Sequence, residues 1–179
     1  MPKYLTYIDK YNKDIFNINI SNAGIVYRNY FKKIDLKEII KIKSKCRKKG
    51  FKFYISNNLK LSIKINADGI YLPSFNKKTF LKNKNFKKDF IIIGSAHNYK
   101  EIFQKERQGC DLIVLSPLFK SKKNNKALGI NRFNELVKKF NIKFFALGGI
   151  NSSNIKKLNL LNIHGFAGIK YFQKKTGLK

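Results

Sequence analysis

The chain has 179 residues, of which 43% are hydrophobic and 14% aromatic, and this content excludes a disordered chain. The length corresponds to about one domain, and we predict a single domain over residues 1–179. The net charge of +29, from 39 Lys and Arg against 10 Asp and Glu, indicates an anionic partner.

The sequence predicts a cytoplasmic protein without a membrane segment. No apolar run approaches the roughly 18 residues that a membrane helix needs. The segment that begins at Met1 has no apolar core of an export signal. Cys46 and Cys110 lack a CxxC spacing, so we expect two buried, inert thiols and neither a disulfide framework nor a zinc site.

The composition of the basic residues favours small phosphates over nucleic acid as partners. Of the 39 basic residues, 35 are Lys and four are Arg. Direct base readout relies on bidentate Arg. Base-stacking modules place aromatic residues beside basic ones, whereas here the aromatic residues fall inside apolar runs. A basic nucleic-acid-associated protein is kept as a second alternative.

Short apolar runs of β type recur along the whole chain. There are eight of them, at residues 5–8, 24–30, 51–56, 69–72, 90–95, 111–119, 143–149 and 165–172. Several are apolar at consecutive positions, which is typical of strands covered on both faces in a parallel sheet. We expect most of the segments between them to be helical.

Four of these connecting segments show helical periodicity. They are residues 36–49, 98–108, 131–140 and 152–161, of which the last three open with Asn or Ser as a predicted N-cap. Gly50 follows the first as a stop signal. Eight strand–helix units predict an α/β fold, a (β/α)8 TIM-type barrel, with a doubly wound open sheet as the competitor. Because the first connection is short and few residues follow residue 172, we expect the first and last helices to be trimmed.

In such a barrel the functional residues follow the carboxyl ends of the strands. Gly148 and Gly149 end the seventh strand, and backbone amides can approach a ligand closely at glycines. Asn151 opens the next predicted helix, whose amino end suits an anion. With Ile169 and Lys170 on strand eight, these residues predict a phosphate seat. A plain chain turn explains the two glycines equally well.

Five segments, in order along residues 24–172, resemble the thiamine phosphate synthase and TenI superfamily. They are Ile55-Ser56-Asn57-Asn58, Ala67-Asp68-Gly69-Ile70-Tyr71-Leu72-Pro73, Ser95-Ala96-His97, Gly109-Cys110-Asp111 leading to Ser116-Pro117-Leu118-Phe119, and Leu147-Gly148-Gly149-Ile150. The family pattern reads Ile-Asn-Asp-Arg, Ala-Asp-Gly-Val-His-Leu-Gly, Ser-x-His, Gly-Ala-Asp with Gly-Pro-x-Phe, and Ile-Gly-Gly-Ile. The resemblance implies a transferase of thiamine biosynthesis that joins an aminopyrimidine diphosphate to a thiazole phosphate and releases diphosphate.

The resemblance also assigns roles to residues. It implies Arg28, Ser121, Lys122 and Lys123 for the diphosphate, and Ser95 beside the reacting centre. It implies Gly148, Gly149 and Lys170 for the thiazole phosphate. Ser56, Tyr71 and Ile169 complete the expected substrate-binding set, in which Tyr71 replaces a family histidine.

The same resemblance implies a Mg²⁺ ion held by two acidic side chains. The first of these falls on Asn57 and the second on Asn76. Amides offer carbonyl oxygens without charge, so they hold Mg²⁺ much more weakly than carboxylates. The family's Gln-x-Arg-x-Lys on strand two retains only Arg28.

A second reading follows from these departures. A TenI-like tautomerase moves a proton on a thiazole phosphate without a metal, and a noncatalytic phosphate binder retains only the phosphate seat. His97 is the one histidine at a carboxyl end of a strand, and its ordinary pKa suits proton transfer near neutral pH. It is also explained as a residue that caps a helix or orders a loop.

Overall fold

A computed structural model describes residues 1–17, 20–30, 34–79, 86–121 and 125–168. Eight parallel strands close into a barrel in chain order, and β1 pairs with β8. The strands β1 to β8 are Tyr4–Ile8, Ala23–Tyr27, Lys52–Ser56, Gly69–Leu72, Ile91–Ala96, Leu112–Leu115, Lys143–Leu147 and Gly165–Ala167. The predicted barrel is confirmed, and the open sheet is excluded by this closure.

Within the described ranges, four α-helices lie outside the barrel. They are α1 at Leu36–Lys48, α2 at Leu59–Lys64, α3 at Tyr99–Arg107 and α4 at Gly129–Val137. The side chain of Asp35 caps α1 by accepting from the backbone amides of Lys37 and Glu38. Two 3-10 helices, Lys13–Asn17 and Ile155–Leu160, follow β1 and β7.

The core has an inner and an outer part. One buried cluster takes residues from all eight strands and fills the barrel interior, with Tyr54, Ile93 and Phe145 among the fully buried members. Two further clusters lie between the barrel wall and the surrounding helices. This arrangement follows from strands that are apolar on both faces.

Several predicted boundaries were wrong. The predicted strand at 111–119 ends at Leu115, ahead of Pro117, which has no amide hydrogen for a ladder. The predicted helix at 131–140 begins at Gly129, so Asn131 is not its N-cap. The predicted helix at 152–161 is a 3-10 helix that begins at Ile155. The trimmed first helix is confirmed, whereas the last helix lies outside the described residues.

Asp68 and Asp111 lie at the amino-terminal end of the barrel, directly before β4 and β6. Asp68 accepts the backbone amide of Phe53 at 2.9 Å, and Asp111 accepts that of Ile92 at 2.8 Å. Both carboxylates therefore fix the start of a neighbouring strand. In the described part of the chain, no helix has the length and apolarity that a membrane crossing requires.

Candidate active site

A layer of polar side chains lies inside the barrel near the carboxyl ends of the strands. Ser56 and Tyr71 are in register on β3 and β4, and both are buried. Ser95 on β5 is buried beside Tyr71. Tyr7 on β1 packs against Tyr71, edge to face, with ring centroids 5.5 Å apart. These residues come from β1, β3, β4 and β5. In the barrel, β2 lies between β1 and β3 and so completes this side of the wall.

Arg28 supplies the charge at this end of β2. Its backbone amide donates to the carbonyl of Ile8 at 2.7 Å, which extends the pairing of β1 with β2 by one residue. The guanidinium lies over the Tyr7 ring, 4.9 Å from the centroid. The side chain is exposed, so its donors face solvent at the mouth of the barrel. A cation in this place is suited to an anionic ligand.

Tyr7 and Tyr71, the two tyrosines of this polar layer, are neutral hydrogen-bonding groups rather than acids. Burial raises the pKa of Tyr7 well above its ordinary value, and burial also raises the pKa of Tyr71. The hydroxyl of Tyr7 is buried, and Tyr71 is its polar neighbour, although the pair falls short of full hydrogen-bond geometry. The Tyr7 hydroxyl therefore keeps hydrogen-bonding capacity inside this layer.

A cavity of about 360 Å³ opens between the ends of β2, β3 and β4. Tyr30 and Phe75 line it and meet edge to face, with centroids 5.6 Å apart. The Tyr30 hydroxyl hydrogen-bonds to Oγ of Ser56 at 2.8 Å. Phe75 is 61% exposed, so its ring is available to a flat ligand. Sequence reasoning missed both aromatic residues, although Tyr30 occupies the position of the lysine in Gln-x-Arg-x-Lys.

Asn57 and Asn76, the two expected metal positions, are brought together. Nδ2 of Asn76 donates to Oδ1 of Asn57 at 2.7 Å. The oxygen that Asn57 could offer to a metal is therefore already an acceptor. Within the described ranges, no group of three or more His, Cys, Asp or Glu side chains is arranged to hold a metal ion. These residues do not fit a protein-held Mg²⁺, because that ion prefers carboxylates and water in an octahedral shell.

A buried lysine, which sequence reasoning missed, lies behind this pair. Lys105 on α3 is fully buried, and its ammonium donates to the carbonyls of Pro73 and Asn76, both at 2.7 Å, and to Oε1 of Gln108 at 2.9 Å. Burial lowers its pKa to about 8. The available signal was its position three residues after Ile102, on the apolar face of α3.

The ends of β6 and β7 are tied together at the expected phosphate seat. The amide of Leu118 donates to the carbonyl of Leu147 at 2.8 Å, and that of Phe119 to the carbonyl of Gly148 at 3.0 Å. Gly149 has a φ of +68°, and a Cβ there would lie 2.4 Å from the carbonyl oxygen of Phe119. Glycine is therefore required by both conformation and space.

The segment after Gly149 is a turn rather than the start of an α-helix. Asn151 accepts the backbone amide of Ser153 at 2.9 Å, and Asn154 donates to the Gly149 carbonyl at 2.8 Å. The seat is thus followed by this turn and by the 3-10 helix from Ile155, and not by the α-helix start that the sequence predicts. Ile169 and Lys170 lie outside the described residues.

The loop after β6 contains the remaining residues expected to bind diphosphate. Ser121 is exposed, and it directly precedes residues 122–124, which lie outside the described residues. Lys122 and Lys123 lie outside the described residues.

His97 is exposed at the start of α3. Its Nδ1 lies 2.8 Å from Oε2 of Glu101, and its backbone amide donates to the same oxygen. Asn98 caps α3 by accepting the amide of Glu101 at 3.0 Å. These contacts order the helix start, and they also give the imidazole a carboxylate partner.

Comparisons with known proteins agree with this barrel and its motifs. The profile of the family described as thiamine monophosphate synthase matches residues 25–172. A thiamine-phosphate synthase from Prochlorococcus marinus strain AS9601 is 38% identical over 125 residues, which cover 69% of this chain. One from Clostridium tetani is 28% identical over 127 residues, which cover 70% of this chain.

The matched regions span only 36% of the Prochlorococcus protein and 61% of the Clostridium protein. The barrel itself is similar to the solved structure of a thiamine phosphate pyrophosphorylase from Pyrococcus furiosus. That likeness has a TM-score of 0.75 at 19% identity and covers 97% of this chain and 90% of the other. The motifs, the barrel and the profile match agree: the chain belongs to the thiamine monophosphate synthase family.

Proposed function

We propose that this chain catalyses the reaction named in its relatives, thiamine-phosphate synthesis. An aminopyrimidine diphosphate loses diphosphate, which leaves with the electron pair of the broken C–O bond. The thiazole phosphate supplies the pair for the new bond. Phosphorylated substrates of this kind agree with the family membership and with a net charge of +29.

The observation that carries the proposal is the polar layer at the barrel mouth with Arg28 at its edge. We assign the diphosphate to Arg28, Ser121, Lys122 and Lys123, and the thiazole phosphate to Gly148, Gly149, Ile169 and Lys170. Ser95 lies beside the reacting centre. The buried hydroxyls of Ser56 and Tyr71 line the same layer and suit the polar edge of a heterocycle.

The expected Mg²⁺ is not assigned to side chains of this chain. The Asn57–Asn76 hydrogen bond occupies the place where the family pattern has acids. The negative charge that develops on the leaving diphosphate then depends on Arg28 and the lysines after β6, because charge-assisted hydrogen bonds stabilise phosphate oxygens.

A TenI-like thiazole tautomerase or a noncatalytic phosphate binder is the second candidate. The neutral Asn57–Asn76 pair favours it, because this chemistry needs no metal. The contact between His97 and Glu101 also favours it, since a carboxylate partner orients an imidazole for proton transfer. In that case His97 is the acid–base residue.

The Arg28→Ala variant tests the proposed reaction. We expect the rate of thiamine phosphate formation from the two substrates to fall about 100-fold, since a transition-state charge contact is lost. Arg132→Ala is the matched control, because Arg132 pairs with Glu135 on the exposed face of α4. Equal rates in the two variants would contradict the assignment of Arg28.

The His97→Asn variant separates the two candidate functions. Under the synthase assignment, the variant retains product formation within about threefold of the wild type, because His97 touches no reacting atom. Under the tautomerase assignment, proton exchange on the thiazole phosphate, followed by NMR in D₂O, falls by about 100-fold or more.

A further inference from the structure

Lys105 on α3 and Gln108, which directly follows α3, hydrogen-bond to residues 73–78, the first part of the loop after β4. The Lys105 ammonium reaches the carbonyls of Pro73 and Asn76. Nε2 of the Gln108 side chain donates to the backbone carbonyls of Asn76 at 3.1 Å and Lys78 at 2.7 Å. The side chains of Lys105 and Gln108 therefore bind backbone carbonyls at three places in the loop, namely Pro73, Asn76 and Lys78.

The three donors of the Lys105 ammonium each have an acceptor: two backbone carbonyls and the side chain of Gln108. A buried ammonium is costly unless it is fully hydrogen-bonded in this way. An apolar residue would fill the same space without that cost, so packing alone does not account for a lysine here.

The strand beneath makes room for this side chain. A Cβ at Gly94 of β5 would lie 2.9 Å from Cγ and Cδ of Lys105 and also 2.9 Å from Sγ of Cys110. Gly94 directly follows the β-branched run Ile91 to Ile93, and glycine is unfavourable inside a strand. The absence of a side chain at residue 94 thus leaves room for both Lys105 and Cys110.

The loop that is held in this way presents two residues to the mouth of the barrel. Asn76 donates to Asn57, and Phe75 packs against Tyr30, which in turn bonds to Ser56. Lys105 is therefore linked to the cavity by two separate contacts of the loop, the Asn76–Asn57 hydrogen bond and the packing of Phe75 against Tyr30. Neither contact involves the glycine pair after β7.

We propose that Lys105 is a positioning residue that fixes the loop after β4, and with it Asn76 and Phe75, for binding of the aminopyrimidine diphosphate. The proposal rests on the proposed function for the identity of that substrate. Lys105 touches no substrate itself and acts through the loop.

The Lys105→Met variant tests the proposal, with Lys100→Met, an exposed lysine on the same helix, as the matched control. We expect the KM for the aminopyrimidine diphosphate to rise about tenfold or more, with kcat changed less than about threefold. The KM for the thiazole phosphate stays within about twofold of the wild-type value. A merely structural role would reduce the folded fraction and lower kcat at constant KM.

A second measurement needs neither turnover nor substrate. Hydrogen exchange in the segment 73–79 is expected to rise in Lys105→Met and in Gln108→Leu, but not in Lys100→Met. If the wild type forms no thiamine phosphate, the proposed function is wrong. The affinity of each variant for the aminopyrimidine diphosphate is then measured by calorimetry in place of KM. Substrate binding and loop exchange in Lys105→Met equal to those in Lys100→Met would overturn the proposal.

Discussion

At the scale of single residues, the hydrogen bond between Asn57 and Asn76 is the main chemical departure from the family pattern. Two carboxylates in these places would repel each other and attract a divalent cation, whereas two amides satisfy each other. These two positions therefore contribute no negative charge at the mouth of the barrel.

A double substitution, Asn57→Asp with Asn76→Asp, is expected to create a Mg²⁺ site. We expect calorimetry with Mg²⁺ alone to give a dissociation constant of about 1 mM or tighter for the variant. The wild type gives no measurable heat of binding at the same concentrations. Asn134→Asp with Asn162→Asp controls for the change in net charge, at a place where the side chain of Asn134 accepts the backbone amide of Asn162. Wild-type binding as tight as that of the double variant would contradict this account of the amide pair.

The two cysteines are expected to be unreactive in the folded protein. Burial raises the pKa of both Cys46 and Cys110 to about 12. At pH 8, each of the two thiols is therefore ionised in only about one molecule in 10⁴. Labelling with iodoacetamide at pH 8, followed by mass spectrometry, should modify neither residue in native protein. Both should be modified in denaturant, and native labelling at a rate typical of free cysteine would show that they are not buried.

At the scale of elements, the loops after β6 and β7 depend on each other. The carbonyls of Phe119 and Lys120 occupy the space in which a side chain at Gly149 would lie. The seat proposed for the thiazole phosphate thus keeps its shape only while residue 149 lacks a Cβ. The same contacts orient the start of the loop that contains Ser121.

Comparison of Gly149→Ala with Gly50→Ala separates steric contact from backbone strain. The two glycines have nearly equal φ angles, +68° and +67°, but nothing lies within 4 Å of a Cβ at Gly50. We expect the free energy of unfolding to fall by about 1 kcal/mol for Gly50→Ala and by about 3 kcal/mol or more for Gly149→Ala. Urea denaturation measures both. Equal losses in the free energy of unfolding would mean that the loop after β6 moves away from the new Cβ without a loss of stability.

The sequence predicted the elements better than it predicted their ends. Consecutive apolar positions and the regular spacing of the runs were sufficient for eight parallel strands and a barrel. The start of α4 at Gly129 was missed because its N-cap position, Leu128, makes no side-chain cap. The start of α4 is fixed by a tertiary contact, the hydrogen bond from the Gly129 backbone amide to the Leu118 carbonyl. The residue types next to a helix end do not reveal such a boundary.

The candidate site was predictable only where a motif carries it. Ser56, Tyr71 and Ser95 could be proposed as site residues because they stand within family motifs at strand ends, and whether they bind substrate stays a prediction. Lys105 resembled the many solvated lysines of a chain with 35 of them, and only the fold reveals that it is buried. The pairing of Asn57 with Asn76, 19 residues apart, likewise depends on two loops meeting in space.

At the scale of the whole molecule, the net charge of +29 is expected to attract anionic substrates over a distance. Raising NaCl from about 0.05 M to about 0.3 M shortens the screening length from about 14 Å to about 6 Å. We therefore expect kcat/KM for the aminopyrimidine diphosphate to fall about tenfold. Initial rates measured well below KM test this expectation, with sucrose as the uncharged control. A rate that is independent of salt would mean that the field plays no part in capture of the substrate.

Product formation by the wild-type chain is the measurement that decides whether it is a synthase. The purified protein is incubated with aminopyrimidine diphosphate and thiazole phosphate, with and without Mg²⁺, and thiamine phosphate is measured by chromatography. We predict one thiamine phosphate for each diphosphate released. Binding of thiazole phosphate without any thiamine phosphate in either condition would contradict the synthase assignment and favour the tautomerase or the phosphate binder.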